Sequence, residues 1–544
     1  MVIKGKFTDI LARRIYPAEV HIADKKILRV QELDSDQIVP EQYICPGFID
    51  SHVHIESSML VPSEFARMAV VHGTVATVSD PHEIANVLGA NGVDFMIENG
   101  KKTLFHFYFG APSCVPATTF ETAGASILSD AVDQLLSRPE IKYLSEMMNY
   151  PGVLQGDPEV MRKIESAKKY HKPVDGHAPG LCGEEARKYI QAGITTDHEC
   201  FTAEEALDKL GMGMKILIRE GSAARNFEAL ADLLNEHWED MMFCSDDKHP
   251  DSLFHGHINL LCARAFAKNI DPFKILRAAC INPILHYNLD VGYLRPGDGA
   301  DFVLLKDLKK FEVIQTYLQG ELVAENGMTK INSVPCLSIP NRFDCSYTMP
   351  EDFVFRAFPS ITSVYPFPVI EAFDGQLITG KYNEEIHAKN GIWEADHTRD
   401  ILKMVVLNRY EKAPIAMAFI KNFGLKTGAL ASSVAHDSHN IVAVGVSDES
   451  LSRAINAVIS ENGGISLAHE RTVKKIGLPV AGLMSSEDGY RVAESYTELD
   501  AEAKEMGSIL QSPFMTLSFM ALLVIPHLKL SDLGLFNGDS FQIY

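Results

Sequence analysis

The sequence is poor in the features that mark secreted proteins. Its nine cysteines are an odd number in 544 residues, and no two of them form a CxxC pair. Extracellular domains pair their cysteines in disulfides, whereas scattered single cysteines are typical of a reducing compartment. The opening residues also lack the unbroken apolar core of a signal peptide. We therefore expect a cytoplasmic protein with reduced thiols.

The sequence also has fewer positively than negatively charged residues, and its apolar runs are short. Lysine and arginine number 50 against 72 aspartates and glutamates, which gives a net charge of −22. Such a chain repels phosphate backbones and anionic lipid surfaces, so the sequence predicts no nucleic-acid partner and no membrane partner. The most apolar run, residues 514–525, is far shorter than the roughly 20 residues that a membrane-spanning helix needs.

The remaining composition is that of a folded chain with several domains. Hydrophobic residues at 46 % and charged residues at 22 % exclude wholesale disorder. Across residues 46–284, short apolar strands alternate with helical segments, and eight such units predict an α/β fold, a (β/α)8 barrel of the TIM type. No GxGxxG motif follows a strand, so nothing predicts a dinucleotide site.

The segments on either side of the predicted barrel have a different texture. Residues 1–45 alternate apolar and polar side chains, and residues 285–335 return to strands, so together they predict a discontinuous small β-sandwich. Prolines at 335, 340 and 350 indicate a linker region. Residues 345–544 alternate strands and helices, which predicts a C-terminal α+β domain.

Metal-binding side chains recur where the predicted barrel strands end. His52 and His54 are two residues apart on the first strand, so both imidazoles face the same side. Barrel active sites lie at these strand ends. Imidazole and carboxylate ligands together suit two divalent ions that share a bridging carboxylate and convert a bridging water into a hydroxide nucleophile. The other candidate ligands follow at the ends of the fourth, fifth, sixth and eighth strands: Glu146, His177, His198 and Asp246.

Longer stretches of the sequence resemble a known family. PGFIDSHVHIE (46–56) is similar to the first-strand signature of the amidohydrolase superfamily, and residues 54–89 are similar to the bacterial adenine deaminases within it. The likeness extends over nearly the whole chain. It includes SEMMNYPGV (145–153), VDGHAPGLCG (174–183), SDDKHPD (245–251) and ASSVAHDSHNIVAVG (431–445).

The resemblance implies hydrolysis of adenine to hypoxanthine and ammonia, by attack of a metal-bridging hydroxide on C6, in purine salvage or adenine catabolism. It implies two divalent ions per subunit, manganese or iron, with zinc as an alternative. Asp246 would also accept the proton of the nucleophile, and His198 would stabilise the developing charge. The implied ligands are His52, His54 and Asp246 for the more buried ion, Glu146 for both ions, and His177 and His198 for the second.

Several roles stay open at the level of sequence. Lys142 is an alternative bridge to Glu146, although it lies four residues earlier on the same strand. An acid must protonate ring N1, and both Glu56 and Glu83 are candidates. Asp80 and His82 either contact substrate, assist protonation, hold an extra metal or only shape their loop. Predicted substrate contacts also include Ser113, Ser222 and Arg225.

Alternatives remain for the C-terminal domain and for the reaction. The segment His436 to His439 is either a loop that closes over the barrel mouth or a polar turn. An amidohydrolase of cyclic amides or of another 6-substituted purine is a second interpretation, although a glutamate bridge counts against the cyclic amides. A catalytically silent paralogue is a third. We expect a homo-oligomer, a dimer.

Overall fold

The computed structural model describes residues 1–357 and 364–544. Within residues 48–247, eight strands follow one another, and neighbours in chain order form parallel ladders except between the fifth and the sixth. The end of the last strand pairs with the first, Asp246 opposite Val53, and the Thr195 N–H donates to the Val174 carbonyl at 2.8 Å between the fifth and sixth strands. The predicted α/β barrel is therefore confirmed. Its strands are Phe48–His54, Thr74–Ser79, His106–Ala111, Ile141–Met147, Val174–Gly176, Thr196–Asp197, Lys215–Arg219 and Met241–Cys244, the last continued by Asp246–Asp247.

The helices around the barrel begin and end where the sequence supplies caps. The Thr202 hydroxyl accepts the Glu205 N–H at 3.2 Å, and the helix that it caps ends at Gly211. Asp157 caps the helix Pro158–Lys169, because its side chain accepts the backbone N–H groups of residues 159 and 160. These helices are Pro62–Ala69, His82–Leu88, Ala90–Gly100, Ser129–Leu136, Tyr150–Gln155, Pro158–Lys169, Gly183–Gln191, Ala203–Gly211, Phe227–Leu230, Leu234–His237, Pro250–His255, Ile258–Ala267, Pro272–Leu276 and Asn282–Tyr287.

The two segments that flank the barrel in sequence pair with each other. Strands from residues 2–46 and from residues 302–329, ranges that the structure describes throughout, form one eight-stranded sheet. Strand Phe302–Leu305 joins the two halves by pairing antiparallel with Tyr43–Pro46. The strand order in this sheet is Met328–Thr329, Glu321–Glu325, Val313–Leu318, Phe302–Leu305, Tyr43–Pro46, Val2–Asp9, Arg14–Ala23 and Lys26–Glu32.

A second large sheet forms the C-terminal domain. Two of its central strands, Leu402–Leu407 and Ile441–Gly445, are buried throughout, which places the core of this domain between the sheet and its helices. The helices are Asp448–Ser460, Gly489–Glu505 and Pro513–Phe519. In the described ranges the strand order is Ile392–Trp393, Gly380–Lys389, Val364–Glu371, Ala416–Lys421, Leu402–Leu407, Ile441–Gly445, Ala429–Ser432, Gly464–His469 and Thr472–Gly477, with a small sheet of Leu528–Ser531, Gly534–Asn537 and Gln542–Ile543.

The C-terminal domain packs on the end of the barrel at which the strands end. The Ser485 N–H donates to the Met59 carbonyl at 2.8 Å, just after the first strand. His249, which follows the eighth strand, contacts the Tyr496 hydroxyl at 2.5 Å. The residues after the strand ends are therefore enclosed between the two domains. Among the described residues, no helix has the length and apolar character to cross a bilayer.

Candidate metal centre and active site

The six predicted ligands meet in one buried cluster at the strand ends. His54 Nε2 lies 3.2 Å from His52 Nε2, 3.1 Å from Glu146 Oε1 and 3.1 Å from Asp246 Oδ1. The alternation of side chains along the first strand puts both histidines on one face. The parallel pairing of the eighth strand with the first then brings Asp246 beside them.

Glu146 joins the two halves of this cluster. Its Oε1 faces His54, and its Oε2 lies 2.7 Å from His177 Nδ1 and 3.3 Å from His198 Nε2. Lys142 lies at the opposite end of the fourth strand, where its Nζ pairs with Asp290 Oδ2 at 3.3 Å. The two candidate bridges thus lie at opposite ends of the same strand. Of the two, Glu146 is the one that contacts both sets of histidines.

The donor set fits divalent cations. The Nε2 atoms of His52 and His54 face each other at 3.2 Å beside a carboxylate oxygen of Asp246. All three atoms can donate an electron pair to a cation between them. His52 Nδ1 and His177 Nε2 are buried and have no hydrogen-bond partner among the described residues. Buried polar atoms normally have partners. Nitrogen and carboxylate ligands in this ratio suit manganese, iron or zinc.

A buried arginine behind the cluster was not predicted from the sequence. Arg219, 1 % exposed in its side chain, donates to Asp246 Oδ2 at 2.8 Å and forms an ion pair with Glu199. Burial by itself raises the pKa of Asp246, but the guanidinium together with the contacts from His52 and His54 outweighs burial and holds that pKa well below its ordinary range. Arg219 and Glu199 lie at the ends of the seventh and sixth strands. Their positions at strand ends are the feature of the sequence that could have indicated a place in this site.

A second polar cluster surrounds Glu83, in the first turn of the helix that follows the second strand. Asp80 Oδ2 contacts His82 Nδ1 at 3.0 Å, and His82 lies 3.4 Å from both Glu146 Oε1 and Glu83 Oε1. The Glu83 carboxylate contacts His436 Nδ1 and His439 Nε2, both from the C-terminal domain. The predicted Asp80, His82 and Glu83 therefore adjoin the candidate metal ligands and connect them to the segment 436–439.

The cavity at this site is small and has walls from both domains. Its free volume is about 20 Å³, which holds about one water molecule. The barrel supplies the polar wall, whereas the C-terminal domain adds Leu377, Phe519 and Leu522. The remaining lining side chains are His54, His82, Glu83, Glu146, Met148, His177, His198, Glu199, Asp246, Asp247, His436 and Asp437.

Six predicted residues lie outside that lining: His52 and Asp80, which contact residues of the lining, and four that lie in other surroundings. Ser113 is buried and donates to the Glu146 carbonyl at 2.5 Å, and the Ser222 hydroxyl accepts the His249 N–H at 2.9 Å. Arg225 is exposed and donates to the carbonyls of residues 221 and 222 in its own loop. Glu56 accepts the Ile84 N–H at 3.2 Å, and burial raises its pKa to about 7.

Family models match the two parts of the chain that build this site. The model of the amidohydrolase family matches residues 43–323, just over half of the chain, and thus includes the barrel and all six clustered ligands. The model of the adenine deaminase C-terminal domain matches residues 376–542. The fold and the first of these matches define a member of the amidohydrolases.

Full-length relatives narrow the class. The chain is 53 % identical over 543 residues to an adenine deaminase of Sulfurovum sp. (strain NBC37-1), covering 100 % of this chain and 99 % of that protein. It is 54 % identical over 542 residues to an adenine deaminase of Salinibacter ruber, covering 99 % and 98 %. A third, from Methanosarcina acetivorans, is 51 % identical over 547 residues, covering 99 % and 98 %. The chain belongs to the adenine deaminase family of the amidohydrolases.

Proposed function

We propose that the protein hydrolyses adenine to hypoxanthine and ammonia. The observation that carries this proposal is the full-length identity of about half to adenine deaminases, over both the ligand-bearing barrel and the domain that covers it. The ligand set is complete, which disfavours a catalytically silent paralogue. A carboxylate at the bridging position, Glu146, agrees with the expectation against a cyclic-amide hydrolase.

Divalent ions would be held by the buried cluster. We propose two per chain, manganese or ferrous iron, with zinc as a weaker alternative, because four imidazoles and two carboxylates exceed what one tetrahedral ion binds. Such ions, when bound, act as Lewis acids and lower the pKa of a bound water from 15.7 to about 7. The proposed ligands are His52, His54 and Asp246 on one side, Glu146 between, and His177 and His198 on the other.

The barrel carboxylate Asp246 is proposed to move the proton of the attacking water. Its Oδ2 is held by Arg219, so its Oδ1 remains on the side of the ligand histidines. As the C6–O bond forms, Asp246 Oδ1 accepts one proton of that water. Asp246 then delivers this proton to the C6 amino group, the C6–N bond breaks, and ammonia leaves. His198 stabilises the charge that develops as the water attacks C6.

Ring N1 must gain a proton during the attack, and we assign its source to Glu83 and His436. Glu83 lines the cavity, whereas Glu56 does not, which favours Glu83. The proton held between Glu83 Oε1 and His436 Nδ1 passes to N1 through Glu83. The hydroxyl proton left on C6 restores the pair when the carbonyl forms. Asp80 fixes the neighbouring His82, which we propose contacts the substrate.

The remaining expectations concern the setting of the enzyme. All nine cysteines are unpaired thiols, which supports a cytoplasmic location. The dimer stays a prediction. We propose the domain boundaries 1–45 plus 285–335, 46–284 and 345–544, in agreement with the sheets that these ranges contain. The role in purine salvage or adenine catabolism follows from the proposed reaction.

The test is ammonia release from a panel of purines and nucleosides with metal-reconstituted protein. We expect adenine to give hypoxanthine, and adenosine to react poorly because Leu377, Phe519 and Leu522 of the C-terminal domain form part of the cavity wall and would obstruct a ribose. The control is the same protein after chelation of its metals. Faster turnover of adenosine, or of a dihydropyrimidine, than of adenine would contradict the substrate assignment.

A further inference from the structure

The Glu83 carboxylate is held at both oxygens by the C-terminal domain. His436 Nδ1 contacts Glu83 Oε1, and His439 Nε2 contacts Glu83 Oε2. The three side chains are at most 3 % exposed, so water does not compete for these contacts. A carboxylate bound at both oxygens by two packed rings cannot rotate about its last side-chain bond without losing a buried hydrogen bond, which costs free energy. The position of Glu83 therefore depends on a loop 353 residues later in the chain.

His439 has no nitrogen left for a substrate. The Ala435 N–H donates to its Nδ1 at 3.2 Å, so Nδ1 is an acceptor and the proton is on Nε2, which donates it to Glu83. The side chain of His439 is fully buried and is not part of the cavity wall. Any influence of this histidine on the reaction must therefore pass through Glu83.

His436 differs in that one of its nitrogens is uncommitted. Its Nε2 is buried without a hydrogen-bond partner among the described residues, and the side chain lines the cavity with Phe519 stacked on its ring at 5.0 Å. A substitution of His436 would remove both the contact to Glu83 and this second group. His439 therefore has a single role, the contact to Glu83, whereas His436 has this contact and also lines the cavity. A substitution of His439 is the one that tests the contact alone.

We propose that His439 is a positioning residue for Glu83, so that the C-terminal domain belongs to the catalytic machinery and is more than a cover. This inference rests on the proposed adenine deamination, in which Glu83 delivers the proton to N1. Without His439, Glu83 keeps the contacts of its Oε1 to His436 and His82, whereas its Oε2 loses its partner and turns away from the substrate. Misplacement of a reacting group by about 1 Å costs roughly 100-fold in rate.

The variant that isolates this role is His439→Asn. His439 has a φ of +56°, in the left-handed region that asparagine adopts readily. The asparagine Oδ1 can replace Nδ1 as acceptor of the Ala435 N–H, but the shorter side chain does not reach Glu83. We expect kcat/KM for adenine to fall about 10- to 100-fold, with metal content unchanged and the chain still folded, while the unfolding midpoint falls slightly because a buried acceptor loses its partner. His439→Gln, whose amide nitrogen extends to the place of Nε2, should recover most of the loss.

A double-mutant cycle separates positioning from general damage. In a Glu83→Gln background, His439→Asn should cause little further loss, because the group through which it acts is already changed. Tyr496→Phe is the matched control, since it removes a different contact between the two domains and its small effect should be the same in both backgrounds. If the asparagine variant does not fold, His439→Leu takes its place in the cycle.

Two outcomes are distinguishable. If the wild-type chain deaminates adenine and His439→Asn costs the same factor with and without Glu83→Gln, the positioning role is overturned and the proposed function stands. If the metal-loaded wild-type chain does not deaminate adenine at all, the proposed function fails, and this inference fails with it. The proposal is supported if His439→Asn lowers activity in the wild-type chain but not in Glu83→Gln, and if His439→Gln recovers most of that activity.

Discussion

The barrel and the C-terminal domain both face the same cavity, but they supply different kinds of side chain. The barrel contributes imidazoles and carboxylates fixed at the ends of buried strands. The C-terminal domain contributes the apolar residues Leu377, Phe519 and Leu522 together with His436 and Asp437. The proposed metal ligands are thus all located on the barrel. Enclosure and the final orientation of Glu83 depend on contacts between domains.

The strongest contrast should appear when metal is removed, because only the barrel holds the proposed ions. Treatment with a chelator should abolish adenine deamination while the C-terminal domain keeps its fold, as followed by circular dichroism. Activity should return in proportion to added manganese or ferrous iron until about two equivalents per chain are bound. Full activity at one equivalent, measured by metal analysis, would contradict the two-metal site.

Two barrel carboxylates should separate metal binding from proton transfer. Asp246→Asn should reduce kcat by about 100- to 10,000-fold and keep most of the metal, because the group that accepts the proton is lost. Glu146→Gln is the matched variant, and it should lose one ion, since a neutral amide is a poor bridging ligand. Near-normal turnover in Asp246→Asn with metal retained would remove Asp246 from the mechanism.

The smallest effect is expected from the apolar wall. Phe519→Leu keeps an apolar side chain but removes the ring that lines the cavity, a change worth up to about 1.4 kcal/mol, or about tenfold. We expect KM for adenine to rise by about five- to tenfold, while kcat changes by less than about twofold and metal content stays constant. A parallel fall in kcat would mean that Phe519 also orients the adenine ring for attack. The apolar wall would then contribute to the reaction itself as well as to substrate binding.

Strand geometry explains how much of this site was predictable from the sequence. His52 and His54 share one face because strand side chains alternate, and the barrel topology collects the ends of all its strands at one edge. Glu146 and Lys142 are four residues apart on one strand, so their separation along the barrel also followed from position. The six clustered ligands were therefore predicted together with the fold.

Contacts made by loops and between domains were not predictable in the same way. No periodicity connects Glu83 with His439, because the packing of one domain on another sets their distance. Arg225 was predicted as a substrate contact because it follows a strand. In the structure its guanidinium is satisfied by the carbonyls of its own loop and is exposed. Arg219, the last residue of the seventh strand, was overlooked, although its buried guanidinium contacts Asp246.

The separation of Glu83 from its histidine partners along the chain also dictates an order of assembly. A polypeptide is made from its N-terminus, and about 150 residues lie between the last barrel helix, Asn282–Tyr287, and His436. At a synthesis rate of roughly 5–20 residues per second, about 7–30 seconds pass between the completion of the barrel and the appearance of that loop. During this interval the strand-end side chains of a nascent chain are open to solvent, and they become enclosed only when the last domain docks.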